Sequence, residues 1–208
     1  MCIRDRASSV NVINGYSGQF AIGHAGFLCV GAYTAAILMA RANVPFFLAM
    51  LGAGVMTALF GMLVSFPIGK LSGIYLGFVT LGFSEIVRII CLNWTSVTGG
   101  PMGIKAIPGP KIFGFSLQSS RGYYYIIFAV LVIMVFCTSR ILKSRTGRAW
   151  ISIRENGAAA ASIGINTTQY KTMNIMYATF WEGCAGAFMA TYYHLSLIHI
   201  SEPTRLGM

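Results

Sequence analysis

Within the long apolar stretches of this 208-residue chain, a few ionisable side chains stand out as the ones that could do chemistry. Glu85 and Arg88 lie at i, i+3, a spacing that puts both on one face of a helix. Ionisable groups at bilayer depth are costly, so they pair or face the bundle interior. The two read either as a polar contact near the outer mouth of a pathway or as an ion pair that orients its helix. Glu182 has no partner nearby in sequence. It either meets a cation on another helix or lines the pathway. Upstream, Asn14–Phe20 reads NGYSGQF and leads into Gly23-His24-Ala25-Gly26. Glycines beside Ser17, Gln19 and His24 suggest irregular helix, which a bilayer tolerates only inside protein or along a wet cavity. Gln19 and His24 are therefore candidate pathway residues; the alternative is a helix cap plus a packed histidine.

No enzyme constellation accompanies them. The chain has no GxxxxGK phosphate loop, no GxSxG and no HExxH. The five cysteines, Cys2, Cys29, Cys91, Cys137 and Cys184, form no CxxC pair and suggest neither a disulfide framework nor a zinc site. No cofactor, metal or catalytic residue is expected.

The elements that must position these residues are apolar. Hydrophobic residues make up 56% and charged residues 10% of the chain, against roughly 25% charged in soluble domains. A transmembrane helix needs roughly 20 mostly apolar residues, and five candidates appear: 20–40, 46–68, 73–92, 123–138 and 172–193. Asn43-Val44-Pro45 makes a short turn between the first two. Asn93–Gly122, with its Gly-Pro clusters, is a long connection. The pattern predicts an all-α, polytopic membrane helix bundle. Small residues at GxxxG-like spacing, Gly73 with Gly77, Gly183 with Ala187 and Gly186 with Ala190, predict close helix approach, with tight packing favoured over a direct substrate role.

The net charge of +10 is concentrated in the joints between apolar runs, which points to membrane orientation and away from nucleic acid. Arg140, Lys143, Arg145, Arg148, Arg154 and Lys171 crowd one connection whose only acid is Glu155. Excess basic charge places that loop in the cytoplasm. Lys70 then falls inside, in agreement, whereas Arg41, Lys105, Lys111 and Arg121 fall outside. The same loop carries an Ala-rich helical run that stops at Gly164. A short helix held at the membrane surface is a handle on which another protein could push.

Both ends read as sequencing-adaptor residue. One codon choice for Met1–Arg6, reverse-complemented and read in a shifted frame, encodes Leu195–Ile200. The pattern resembles the transposase adaptor of sequencing libraries, so residues 1–6 and 195–208 are set aside and 7–194 are treated as one transmembrane domain.

These residues together resemble a known family. NGYSGQF with Gly23-His24-Ala25, GAYTA at 31–35, Glu85-Ile86-Val87-Arg88, TGGPMGI at 98–104, and Gly147-Arg148-Ala149 through Arg154-Glu155-Asn156 to Gly164-Ile165-Asn166 span nearly all of 11–194. In order and spacing they resemble the permease subunit of bacterial branched-chain amino-acid ABC transporters. The resemblance implies a multi-pass permease of the bacterial inner membrane that has no ATP site of its own. It would work with a second homologous permease, two ATP-binding subunits and a periplasmic solute-binding protein, importing branched-chain or similar small amino acids. It also implies that the Ala-rich segment is a cytoplasmic coupling helix, with Arg154, Glu155, Ala159 and Gly164 as the residues facing the ATPase. Coupling loops of the family read Glu-Ala-Ala, three residues, then Gly. Here Ala158 stands at the Glu place, and Glu155 lies one turn earlier. A urea or short-amide permease of the same family is the near alternative. An ion channel, an ion-coupled secondary transporter and a non-transporting assembly subunit are the distant ones.

Overall fold

The computed structural model describes residues 23–68, 74–100, 111–112, 115–116 and 120–193. Its helices are α1 (His24–Ala42), α2 (Phe46–Ile68), α3 (Ile74–Asn93), the short α4 (Thr95–Thr98), α5 (Ser120–Leu142), α6 (Arg145–Glu155), α7 (Gly157–Ser162) and α8 (Thr167–Tyr193). Between α4 and α5, β1 (Lys111–Ile112) and β2 (Phe115–Ser116) pair antiparallel, Lys111 opposite Ser116 and Ile112 opposite Phe115. This hairpin lies in the expected long connection, and the architecture is the all-α bundle that the apolar runs predict.

The boundaries follow local chemistry. α1 ends where Asn43 takes a left-handed conformation, φ 49°, which Asn tolerates better than most residues. The Val44 amide closes the turn by donating to the Leu38 carbonyl at 3.2 Å. Pro45 opens α2 and accepts from the Ala49 amide at 3.1 Å, the position where its missing N–H costs nothing. Three described helices are long and apolar enough to cross a membrane: His24–Arg41, Phe46–Ser65 and Gly122–Leu142. Of the other two expected spans, α8 carries the buried Asn174, Thr179 and Glu182, and α3 carries the exposed Glu85–Arg88 pair.

Directions can be read from the contacts. Ser65 donates to Thr172 at 2.9 Å near one end of α2, and the Cys184 thiol points to the Met50 carbonyl at 3.8 Å near the other. Thus α2 and α8 run antiparallel. Gly23 meets Thr80 and Cys29 meets Cys91, so α1 and α3 run parallel.

The core lies where α1, α2 and α8 meet, with α3 and the first turns of α5 closing its side. Ala32, Ala35, Ala36, Ala49, Ala53, Ala187 and Ala190 are fully buried, and Phe46 packs on Phe188 with ring centroids 5.1 Å apart. Small side chains are needed because the backbones nearly touch. A Cβ on Gly31 would lie 2.5 Å from the Gly183 Cα, and a Cβ on Gly183 would lie 2.7 Å from the Ala53 carbonyl oxygen. In lipid, where apolar surface gains little by leaving the solvent, such close approach is the main source of helix association. The outer faces are lipid-like: Leu48, Val55, Leu59 and Leu63 stripe α2, and Tyr125, Val132, Ile133 and Phe136 stripe α5.

Replacing Gly183 with Leu must force α8 away from both α1 and α2, an overpacking cost of at least 1–3 kcal/mol. A thermal melt followed by size-exclusion fluorescence should show a lowered midpoint. Gly82→Leu, where an added Cβ meets nothing within 4 Å, should leave it unchanged.

Candidate functional site

Two constellations stand out, one in the core and one on the elbow after α5. The first is built at the start of α1. The Gly23 amide donates to the Thr80 hydroxyl at 3.3 Å, and that hydroxyl donates to the Gly77 carbonyl at 2.9 Å. Gly26 lies against Ser84. The N-terminus of α1 is thereby pinned to α3, and His24, its first residue, turns inward. His24 Nδ1 contacts Glu182 Oε1 of α8, and both residues are buried. The carboxylate sits at the positive end of α1, where a helix favours negative charge.

Around this pair runs a polar seam. Asn174, Thr179 and Glu182 of α8 and Thr57 and Ser65 of α2 are fully buried. Two of the hydroxyls are satisfied within their own helices, Thr57 donating to Ala53 O at 2.6 Å and Thr179 to Ile175 O at 2.8 Å, while Ser65 donates across to Thr172 of α8. That back-bonding lets a hydroxyl reside in an apolar bundle without a partner across the interface.

Glu85 and Arg88 form the i, i+3 pair expected of them, Arg88 Nη1 donating to Glu85 Oε1 at 2.8 Å. Their side chains are 59% and 37% exposed, among exposed Ile86, Ile89 and Ile90. Among the described residues the structure therefore keeps the His24–Glu182 contact separate from the Glu85–Arg88 ion pair. The carboxylate that meets His24 is the buried Glu182 and not the outward-facing Glu85. Gln19 and the rest of Asn14–Phe20 lie outside the described residues, as do the segments 1–6 and 195–208.

The second constellation is the elbow. α6 is wedged against the end of α5 and the start of α8. Gly147 packs on the backbone of Leu142 so closely that no Cβ fits. Trp150 is 2% exposed, and its indole N–H donates to the Tyr170 carbonyl at 2.9 Å. Its ring lies 6.4 Å from that of Tyr177, whose hydroxyl meets the Thr138 hydroxyl at 2.8 Å. One tryptophan thus joins α6 to α8, and one tyrosine joins α8 to α5.

The Ala-rich run is a separate helix. Sequence reading takes 154–164 as one continuous helical segment, whereas the structure breaks it at Asn156. That residue is extended, and its side chain accepts from the Ala158 and Ala159 amides at 3.1 Å each. Asn is among the preferred N-cap residues, and Asn156-Gly157 ahead of four alanines was the available signal. At the other end Gly164 adopts φ 87°, and the Ile165 amide returns to the Ala160 carbonyl at 3.1 Å. Ala160 is buried, while Ala158, Ala159, Ala161, Ser162 and Ile163 are exposed. Arg154 and Glu155, exposed at the end of α6, stand beside this face. The expected Arg154 and Glu155 thus end α6, Ala159 lies on α7, and Gly164 makes the turn after it.

A helical bundle with long apolar spans and a polar interior seam defines an integral membrane protein. The chain belongs to the family described as the permease component of a branched-chain amino acid transport system, whose model it matches over residues 6–206. It is 36% identical over 204 residues to the high-affinity branched-chain amino acid transport system permease protein LivM of Salmonella typhimurium, covering 87% of this chain and 48% of the relative. The protein of the same name from Escherichia coli K12 gives the same identity and coverage. The chain spans about half the length of both relatives. No solved structure matches it.

Removing one member of a buried charged or hydrogen-bonded pair leaves the other without its partner in the core and costs about 3–5 kcal/mol when the pair is ionic. His24→Ala should therefore lower the thermal midpoint of the purified protein sharply. The double variant His24→Leu with Glu182→Leu should recover part of the loss, because it leaves neither partner behind in the core.

Proposed function

We propose that this chain is part of the permease subunit of an ATP-driven importer in the bacterial inner membrane, with branched-chain or similar small amino acids as substrate. The names of the relatives support amino acids over urea or short amides. The subunit would act with a second homologous permease, two ATP-binding subunits that hydrolyse ATP, and a periplasmic protein that delivers substrate.

One observation carries the reading. α7 offers an exposed small-residue face on a rigid mount, since α6 beside it is tied to the α8 backbone through Trp150. A nucleotide-driven partner gripping Arg154, Glu155 and Ala159 would move α8 and, with it, Glu182 in the polar seam. Work requires that this partner favour one of two bundle states over the other. Substrate would then pass along a wall that includes His24, Glu85 and Arg88. Support for Glu85 and Arg88 comes from their placement: a charged pair among exposed isoleucines at bilayer depth calls for further protein or a wet cavity against that face.

Introducing Ala159→Arg should reduce ATP-dependent uptake at least ten-fold, about 1.4 kcal/mol of lost coupling, while expression and bundle stability hold. Uptake in vesicles and co-purification of the ATP-binding subunits measure it; normal values of both would remove α7 from the coupling role. Glu85→Gln should lower uptake with assembly intact, and unchanged transport would take Glu85 out of the pathway.

A further inference from the structure

The α5–α6 elbow carries a cluster of cations that the coupling role leaves unused. Arg140, Lys143, Arg145 and Arg148 are all exposed within nine residues of chain. The Arg148 guanidinium folds back over the elbow and donates to the Lys143 carbonyl at 3.3 Å. The Arg140 guanidinium lies 5.6 Å from the centre of the exposed Phe136 ring. Among the described residues no acid balances the group, since Glu155 lies at the far end of α6, about 15 Å away at 1.5 Å per residue.

The helix itself adds to the imbalance. Positive side chains in a first turn oppose the helix dipole, which favours anions there. α6 nevertheless begins with Arg145 and Arg148 and has no acidic residue in its first turn. Its N-cap residue, Ser144, makes no side-chain cap; the hydroxyl donates instead to the Ile141 carbonyl at 2.6 Å. Four cations and an uncapped helix start therefore converge where an apolar face ends. One to three turns earlier on α5, the apolar Val132 and Phe136 are exposed.

We propose that this elbow binds an anionic phospholipid, its phosphate held by Arg140, Lys143 and Arg148 and its acyl chains laid along the exposed face of α5. Charge complementarity and the continuity of the apolar stripe with the cations select this occupant. The proposal does not rest on the transported substrate or on the coupling helix. It requires only that α5 cross the bilayer and place the elbow at a headgroup layer.

The test uses the full-length chain with its partner subunits, studied by native mass spectrometry with phosphatidylglycerol or phosphatidylcholine. Wild type should bind the first phosphatidylglycerol at least ten-fold more tightly than phosphatidylcholine, with the preference narrowing as salt rises. Neutralising Arg140, Lys143 and Arg148 with Gln should abolish the preference, roughly five-fold for each cation removed. Arg140→Lys with Arg148→Lys should retain it, which separates lost charge from a misfolded elbow. Arg41→Gln, one cation lost elsewhere, should also retain it. Equal affinity for the two lipids in wild type, or an unchanged preference in the Gln variant, overturns the proposal. So does full competition by glycerol 3-phosphate, which would mark a small-anion site. A preference seen in the isolated chain but lost in the complex would assign the elbow to a protein partner and reject the lipid.

Discussion

The backbones of α1 and α8 touch at Gly31 and Gly183, and the remaining geometry follows from that contact. With no side chain between them the helices cross closely enough for His24 to reach Glu182. Gly183 simultaneously meets α2 at Ala53 and Thr57, so three helices share one point of contact. Close approach also excludes lipid from the seam, and this is what makes buried Asn174, Thr179 and Glu182 tolerable. Polar groups in hydrocarbon cost several kcal/mol each unless paired or back-bonded, and here each class has its own remedy. Thr57 and Thr179 return to their own helices, Ser65 takes Thr172 of α8, and Glu182 takes a histidine together with the start of a helix.

The elbow follows a different rule. Its largest core contact is Trp150, anchored through one hydrogen bond beside buried Ala149 and Ile153, and its outward helix is made almost wholly of small residues. Two asparagines frame α7: Asn156 caps its start, and Asn166 accepts from the Gln169 amide at 3.2 Å to begin α8. Gly164 supplies the reversal between them. A six-residue helix has little stability of its own, because nucleation consumes most of what its hydrogen bonds return. Its persistence depends on these caps and on the buried Ala160.

Much of the bundle was legible in the sequence because bilayer thickness and helix rise convert apolar length directly into spans. Asn43-Val44-Pro45 announces a reversal through two separate backbone preferences, and Gly183 and Gly186 announce close approach through spacing alone. Glu182 was visible as an anomaly in an apolar run. Its partner was not, since His24 lies far away in sequence and no local pattern links them. The placement of Glu85 on an outward face was equally hidden, because an i, i+3 spacing fixes the shared face and says nothing of where that face points. The division at Asn156 was missed because four alanines suggest continuity more strongly than one asparagine suggests a start.

Trp150 also has a mechanical consequence. Its hydrogen bond goes to a backbone carbonyl of α8, so a displacement of α6 acts on the whole 27-residue rod. An α-helix is stiff along its axis, and Glu182 stands about 18 Å from Tyr170 at 1.5 Å per residue. A nudge at the water–lipid boundary would therefore arrive in the middle of the bundle as axial thrust or torque, with few soft joints on the way to absorb it.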